Sequence, residues 1–145
     1  MQSLFGYAKA TLWNIEVEDA AIATLQFRNG AVGVIEATTT AYQVPDRHVI
    51  TIYAEKGTVT LTGDAITDFN LADKSIELPE FGPFFISDGH EAQIRDMVYA
   101  IREGRDPGIP GEETVHALEI ILGTYESSRL GQQIVFDQPD AAANR

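Results

Sequence analysis

The sequence has no cysteine, one tryptophan and three histidines, and its 10 Lys+Arg are outnumbered by 22 Asp+Glu over 145 residues. Without cysteine there is no disulfide framework, no thiolate zinc site and no thiol nucleophile. The shortage of basic residues leaves a formal net charge of −12, which argues against a nucleic-acid groove or an anionic membrane surface as a partner. No apolar run approaches the ~18 residues that span a bilayer, and the N-terminus has no basic stretch of the secretory kind. The expectation is a soluble, acidic domain of the cytoplasm. Motifs of chemistry are missing as well. There is no G-x-G-x-x-G after a strand, no phosphate-binding G-x-x-x-x-G-K-[ST] and no G-x-S-x-G elbow. His90-Glu91 opens like a zinc-protease motif, but Ile94 stands where the second histidine is needed. His48, His90 and His116 show no metal-ligand spacing, so no metal site is expected.

What is present divides into a β-rich first half and a helical second half, the pattern of an α+β fold rather than of alternating βαβ units. The length fits one domain, placed at residues 1–139, with a disordered tail at 140–145 (DAAANR). The clearest signal is a hairpin: Ala20–Arg28, the turn pair Asn29-Gly30, then Ala31–Thr40. If Arg28 pairs with Ala31, Leu25 and Phe27 share a face with Val32 and Val34. Ile22 and Thr24 then share the other with Gly33, Ile35 and Ala37. Further strands are expected at His48–Glu55 and Thr58–Thr62 around Lys56-Gly57, with weaker ones at Ala8–Trp13, Ile66–Leu71 and Ser75–Leu78.

Two amphipathic helices follow. One opens at Asp88 with Glu91 as a capping box, carries the stripe Ile94, Met97, Val98 and Ile101, and stops at Gly104. The other spans about Glu112 to Leu130, with Val115, Leu118, Ile121, Leu122 and Tyr125 as its buried stripe and Gly131 as its stop. Ile134–Phe136 returns as a short strand. The economical assembly is an open, mostly antiparallel sheet with both helices on one face. The other face, Ile22, Thr24, Gly33, Ile35 and Ala37, is too apolar to meet water and is expected to be covered by a second copy, giving a homodimer or tetramer. Met1–Gly6 reads as the last turn of a helix, and an isolated turn is unstable, so the chain is expected to be cut from a longer one. Among polar groups, Glu16, Glu18 and Asp19 read as a solvated acidic loop. Arg47 and His48, in a polar aromatic loop after Tyr42, and His90 in the first turn of a helix are the substrate-side candidates.

Several segments together carry a resemblance. Residues 15–40 (IEVEDAAIATLQFRNGAVGVIEATTT), 52–59 (IYAEKGTV), 90–107 (HEAQIRDMVYAIREGRDP) and 110–131 (PGEETVHALEIILGTYESSRLG) are similar, in order, to the C-terminal domain of the Gfo/Idh/MocA oxidoreductases, a family that includes glucose–fructose oxidoreductase and inositol 2-dehydrogenase. The resemblance implies a parent enzyme in which a Rossmann domain binds NAD(P) and carries a catalytic lysine. In such a parent a D-x-x-x-H helix supplies an Asp and a His, and the sheet's outer face makes the oligomer. Leu4-Phe5-Gly6 resembles the end of that helix, which would put the Asp and His before Met1. This chain is then a substrate-side and oligomerisation domain of a sugar or polyol oxidoreductase, binding no cofactor itself and inactive alone. The alternative is a free-standing scaffold or ligand-binding module that dimerises through its sheet. The family pattern is departed from at Ala54, where a glycine is usual, in the short link Trp13–Val17, and at Asp46-Arg47, where some members place a substrate tyrosine.

Overall fold

The computed structural model describes residues 1–41, 48–63, 65–77 and 86–136, with side chains described from residue 89 in the last stretch. It contains two compact units, residues 1–42 with 109–145, and residues 43–108. The fold is α+β, with the strands in two open antiparallel sheets rather than one.

In the first unit the strands are β1 (Ser3–Lys9), β2 (Ala20–Gln26) and β3 (Val32–Thr38), joined after the helix by a two-residue strand (Ile134–Val135). The sheet order is β3, β2, β1, then the two-residue strand, antiparallel throughout. The segment expected to end a helix is therefore the strand β1, inside the sheet. Apolar residues at 1, 4 and 5 fit a helical turn, but the alternation of Leu4, Gly6 and Ala8 against Phe5, Tyr7 and Lys9 fits a strand, and pairing on both sides decides the outcome. Gly6 is not a helix stop, since it is not among the residues with positive φ. The orphan turn used to infer a cut chain does not exist.

The hairpin forms between the expected strands with a different turn. Phe27 N donates to Ala31 O (2.8 Å) and Gly30 N to Phe27 O (3.0 Å), so three residues, Arg28–Gly30, make the loop, with Gly30 at φ 87°. Asn29 Oδ1 accepts from Ala31 N at 3.1 Å. The register is Leu25 opposite Gly33, Ala23 opposite Ile35 and Ala21 opposite Ala37, one residue off the two-residue turn. A one-residue slip turns every β3 side chain to the opposite face. Gly33, Ile35 and Ala37 consequently lie on the helix side, and Val32 and Val34 on the open side.

The helix of this unit, Gly111–Leu130, starts after extended Pro110 and ends at left-handed Gly131 (φ 65°), whose N–H bonds Ser127 O. It lies against β1 through small and polar residues. Gly123, Thr124 and Ser127 are its buried positions, while Val115, Leu118, Ile121, Leu122 and Tyr125, expected inside, are 43–64% exposed. Close approach explains the inversion. A Cβ on Gly6 would sit 2.7 Å from Thr124 Cγ2, and one on Gly123 would sit 2.9 Å from Phe136 Cζ and 3.0 Å from Leu4 Cδ2. Backbones this near leave no room for large side chains between them. The core is Leu4, Ala23 and Leu25, flanked by Met1, Phe27, Ile120, Ile134 and Phe136.

The second unit holds β4 (Val49–Ala54), β5 (Gly57–Thr62), β6 (Ala65–Leu71) and α1 (Ile86–Glu103), so the first unit's helix is α2 and its two-residue strand is β7. The sheet order is β4-β5-β6, and Ala54 pairs with Gly57 across the Glu55-Lys56 turn. Its two faces differ. Ile50, Ile52, Val59 and Leu61 share one, and Val49, Thr51, Tyr53, Thr58, Thr60 and Thr62 the other. α1 begins at Ile86, two residues before the expected cap at Asp88, and Ile94, Met97, Val98 and Ile101 are 42–74% exposed. Residues 75–77 form no strand, and Leu78 and the tail at 140–145 lie outside the described residues. No helix is long and apolar enough to cross a membrane among the described residues.

Candidate functional site

The first unit concentrates its polar chemistry where β1 hands over to β2. Asp19 is buried, and its carboxylate accepts four hydrogen bonds from the preceding loop. Oδ1 takes Thr11 N and Thr11 Oγ1, both at 2.7 Å, and Oδ2 takes Leu12 N and Trp13 N, both at 2.8 Å. Its carbonyl accepts Thr39 N at 2.9 Å and Thr38 Oγ1 at 3.1 Å. Burial pushes the carboxyl up, and the bonds from Trp13, Leu12 and Thr11 outweigh burial and hold it well below the ordinary aspartate range. Asp19 thus fixes the loop that presents Leu12, Trp13, Ile15 and Val17, each 46–63% exposed.

Next to it, Tyr125 Oη donates to Glu18 Oε1 at 2.6 Å. That bond lowers the Glu18 pKa and raises that of Tyr125. Of the three acidic residues read as a solvated loop, only Glu16 is wholly so. Three of the four donors to Asp19 are main-chain N–H groups, which every residue but proline carries, so the sequence held no signal for this cradle. Behind the Glu18–Tyr125 pair, on the helix side of β2 and β3, lies an apolar cleft of ≈ 250 Å³ floored by Ala21, Ala23, Ile35 and Ala37. An acid–phenol pair at an apolar cleft can orient a ligand.

Two serines complete the sheet. β7 pairs only with Ser3 and Leu4, so the edge of β1 beyond them lacks a strand. Ser127 Oγ accepts Gly6 N at 2.9 Å and donates to Gln132 O at 2.6 Å, and Ser128 Oγ bonds both Ala8 N and Ala8 O at 3.0 Å. Helical hydroxyls take the place of the missing strand.

The open face of this sheet has rows Phe5–Thr24–Val34 and Tyr7–Ile22–Glu36. Phe5, Tyr7, Ile22, Val32 and Val34 are 48–80% exposed. Of the five residues expected there, Ile22 and Thr24 are present. Gly33, Ile35 and Ala37 face the helix because of the hairpin register. Phe5 and Tyr7 were missed because their strand was read as a helix end.

The substrate-side candidates are not brought together. His48 is exposed just before β4, and its carbonyl accepts Gly63 N at 2.8 Å. His90 is exposed in the first turns of α1, and Arg47 lies outside the described residues. His116, on α2, faces Glu119 Oε2 at 3.2 Å. Among the described residues no group of three or more His, Asp or Glu could hold a metal ion. Among the described residues no strand runs through a glycine-rich turn into a helix N-terminus.

Comparison with known proteins agrees with this architecture. No curated protein matches the chain. Among solved structures it is similar to the WlbA dehydrogenase from Bordetella pertussis in complex with NADH and UDP-GlcNAcA. That likeness has 27% identity and TM-score 0.77, and covers 95% of this chain and 39% of that one. An oxidoreductase domain protein from Kribbella flavida shares the fold at 21% identity and TM-score 0.73, over 94% of this chain and 44% of that one. So does levoglucosan dehydrogenase in complex with NADH and levoglucosan, at 17% identity and TM-score 0.72, over 95% and 45%. The chain spans about two fifths of the length of these proteins. The model of the oxidoreductase family's C-terminal alpha/beta domain, of the Gfo/Idh/MocA type, matches residues 1–136, and the chain belongs to that family as this domain.

Proposed function

We propose that this chain is the substrate-side and self-association domain of an NAD(P)-dependent oxidoreductase that transfers hydride at a hydroxyl carbon of a sugar or polyol, and that it is inactive alone. The observation that carries the reading is the family match over residues 1–136, joined by the likeness to a dehydrogenase solved with NADH and a UDP-sugar acid. Hydride transfer needs a nicotinamide held against the substrate carbon and a proton acceptor beside its hydroxyl. A Rossmann domain supplies the first in the parent enzyme. The apolar open face, led by Phe5, Tyr7, Ile22 and Val34, serves a homodimer or tetramer, and a cysteine-free chain suits a reducing cytoplasm. Titration calorimetry of the purified chain with NADH and NADPH is expected to give no binding, and micromolar affinity would overturn the reading. Light scattering after size exclusion is expected to show a dimer that Val34→Arg dissociates.

A further inference from the structure

The Asn29-Gly30 pair that turns the hairpin also carries reactive chemistry. Of the four asparagines, Asn14, Asn29, Asn70 and Asn144, only Asn29 is followed by glycine; Ile15, Leu71 and Arg145 follow the others. The main-chain nitrogen of the next residue can attack a side-chain amide, and a side chain on that residue hinders the approach. Gly30 has no side chain, and no atom lies within 4 Å of the place a Cβ would take. Residues 28–31 are exposed, so water reaches the loop.

Local geometry prepares the amide. Asn29 Oδ1 accepts Ala31 N at 3.1 Å, the asparagine side chain bonding the main chain two residues on. The ring of atoms this bond closes contains both Asn29 Cγ and Gly30 N, which keeps the reacting atoms in one small turn. It also sets an N–H donor on the oxygen where negative charge develops during attack. One bond opposes the reaction. Gly30 N donates to Phe27 O at 3.0 Å, and that turn must open first, which at an exposed hairpin tip costs little.

We propose that Asn29 is a site of spontaneous deamidation in the folded chain. Gly30 N gives up its proton and bonds to Asn29 Cγ, the Cγ–Nδ2 bond breaks, and ammonia leaves with a proton. A cyclic imide remains. Water then adds to either of its carbonyls and one C–N bond breaks, leaving an aspartyl or an isoaspartyl residue. Nothing is oxidised or reduced; one water enters and one ammonia departs. The two products differ in their effect on the hairpin. An aspartyl carboxylate still accepts from Ala31 N and keeps the three-residue loop. An isoaspartyl link adds a carbon to the main chain between positions 29 and 30. The loop that fixes the β2–β3 register then no longer fits its closing bonds.

The test incubates the purified chain in warm, mildly alkaline buffer, folded and in parallel unfolded in guanidinium chloride. Peptide mass spectrometry follows each asparagine, and isoaspartyl methyltransferase labelling counts the isoaspartyl product. In the folded chain Asn29 is expected to convert about tenfold or more faster than Asn14 and Asn70, and within about tenfold of its own rate when unfolded. The isoaspartyl fraction, separated by chromatography, is expected to melt below the original chain, while Asn29→Asp melts close to it. Asn29 that stays intact in the folded chain, or falls outside that tenfold of the unfolded rate, overturns the proposal. Conversion of Asn14 or Asn70 as fast as Asn29 overturns it too. An isoaspartyl fraction as stable as Asn29→Asp leaves the site standing and overturns its effect on the hairpin.

Discussion

Asp19 Oδ2 accepts the main-chain N–H of Trp13 at 2.8 Å, and through that bond a buried carboxylate sets the course of an exposed apolar loop. Because its folded pKa is depressed, the unfolded chain binds the proton more readily. The stabilisation is complete above the ordinary aspartate value near 3.9 and is lost as pH falls below it. Asp19→Asn keeps the shape and removes the charge. Its thermal melting point is expected to lie below that of the original chain at pH 7, with the gap narrowing as pH falls below about 4. A constant gap across that range would contradict the assignment.

Gly6 and Thr124 set the spacing between β1 and α2. Gly6→Ala places a methyl 2.7 Å from Thr124 Cγ2 and 3.0 Å from its Cα, and overpacking of this kind costs about 1–3 kcal/mol. Adding Thr124→Ala removes the nearer contact, and urea melts of the double variant are expected to recover part of the loss beyond the sum of the singles.

Ser127→Ala leaves the buried Gly6 N–H and Gln132 C=O without the hydroxyl they share. A loss of about 1–3 kcal/mol in denaturant melts is expected, with faster hydrogen exchange at the Gly6 amide.

Leu4 is 1% exposed and Leu118 is 53% exposed. Leu4→Ala is expected to cost about 2–5 kcal/mol, and Leu118→Ala less than about 1 kcal/mol. The reverse ranking in thermal melts would put α2 on the sheet by its large apolar stripe instead.

Local rules written into the sequence determined a good deal. Asn29-Gly30 marked a hairpin because the turn needs a residue at positive φ, and Gly30 supplies it at 87°. Gly104 and Gly131 marked the ends of both helices for the same reason, each at φ 65°. Alternating apolar residues identified β2 to β6, and four segments in family order identified the domain. The tertiary structure decided what such rules cannot reach. Whether the hairpin turns over two residues or three is a difference of one position, yet it moved Ile35 and Val34 to opposite faces. Whether residues 3–9 are helix or strand depended on partners more than a hundred positions away, as Leu4 pairs with Ile134 and Gly6 bonds Ser127. Which face α2 buries depended on the closeness that Gly6 and Gly123 allow, so its small residues went inward and its large ones stayed out. Propensity and periodicity belong to a single segment, whereas register, pairing and interlayer distance arise only when segments meet.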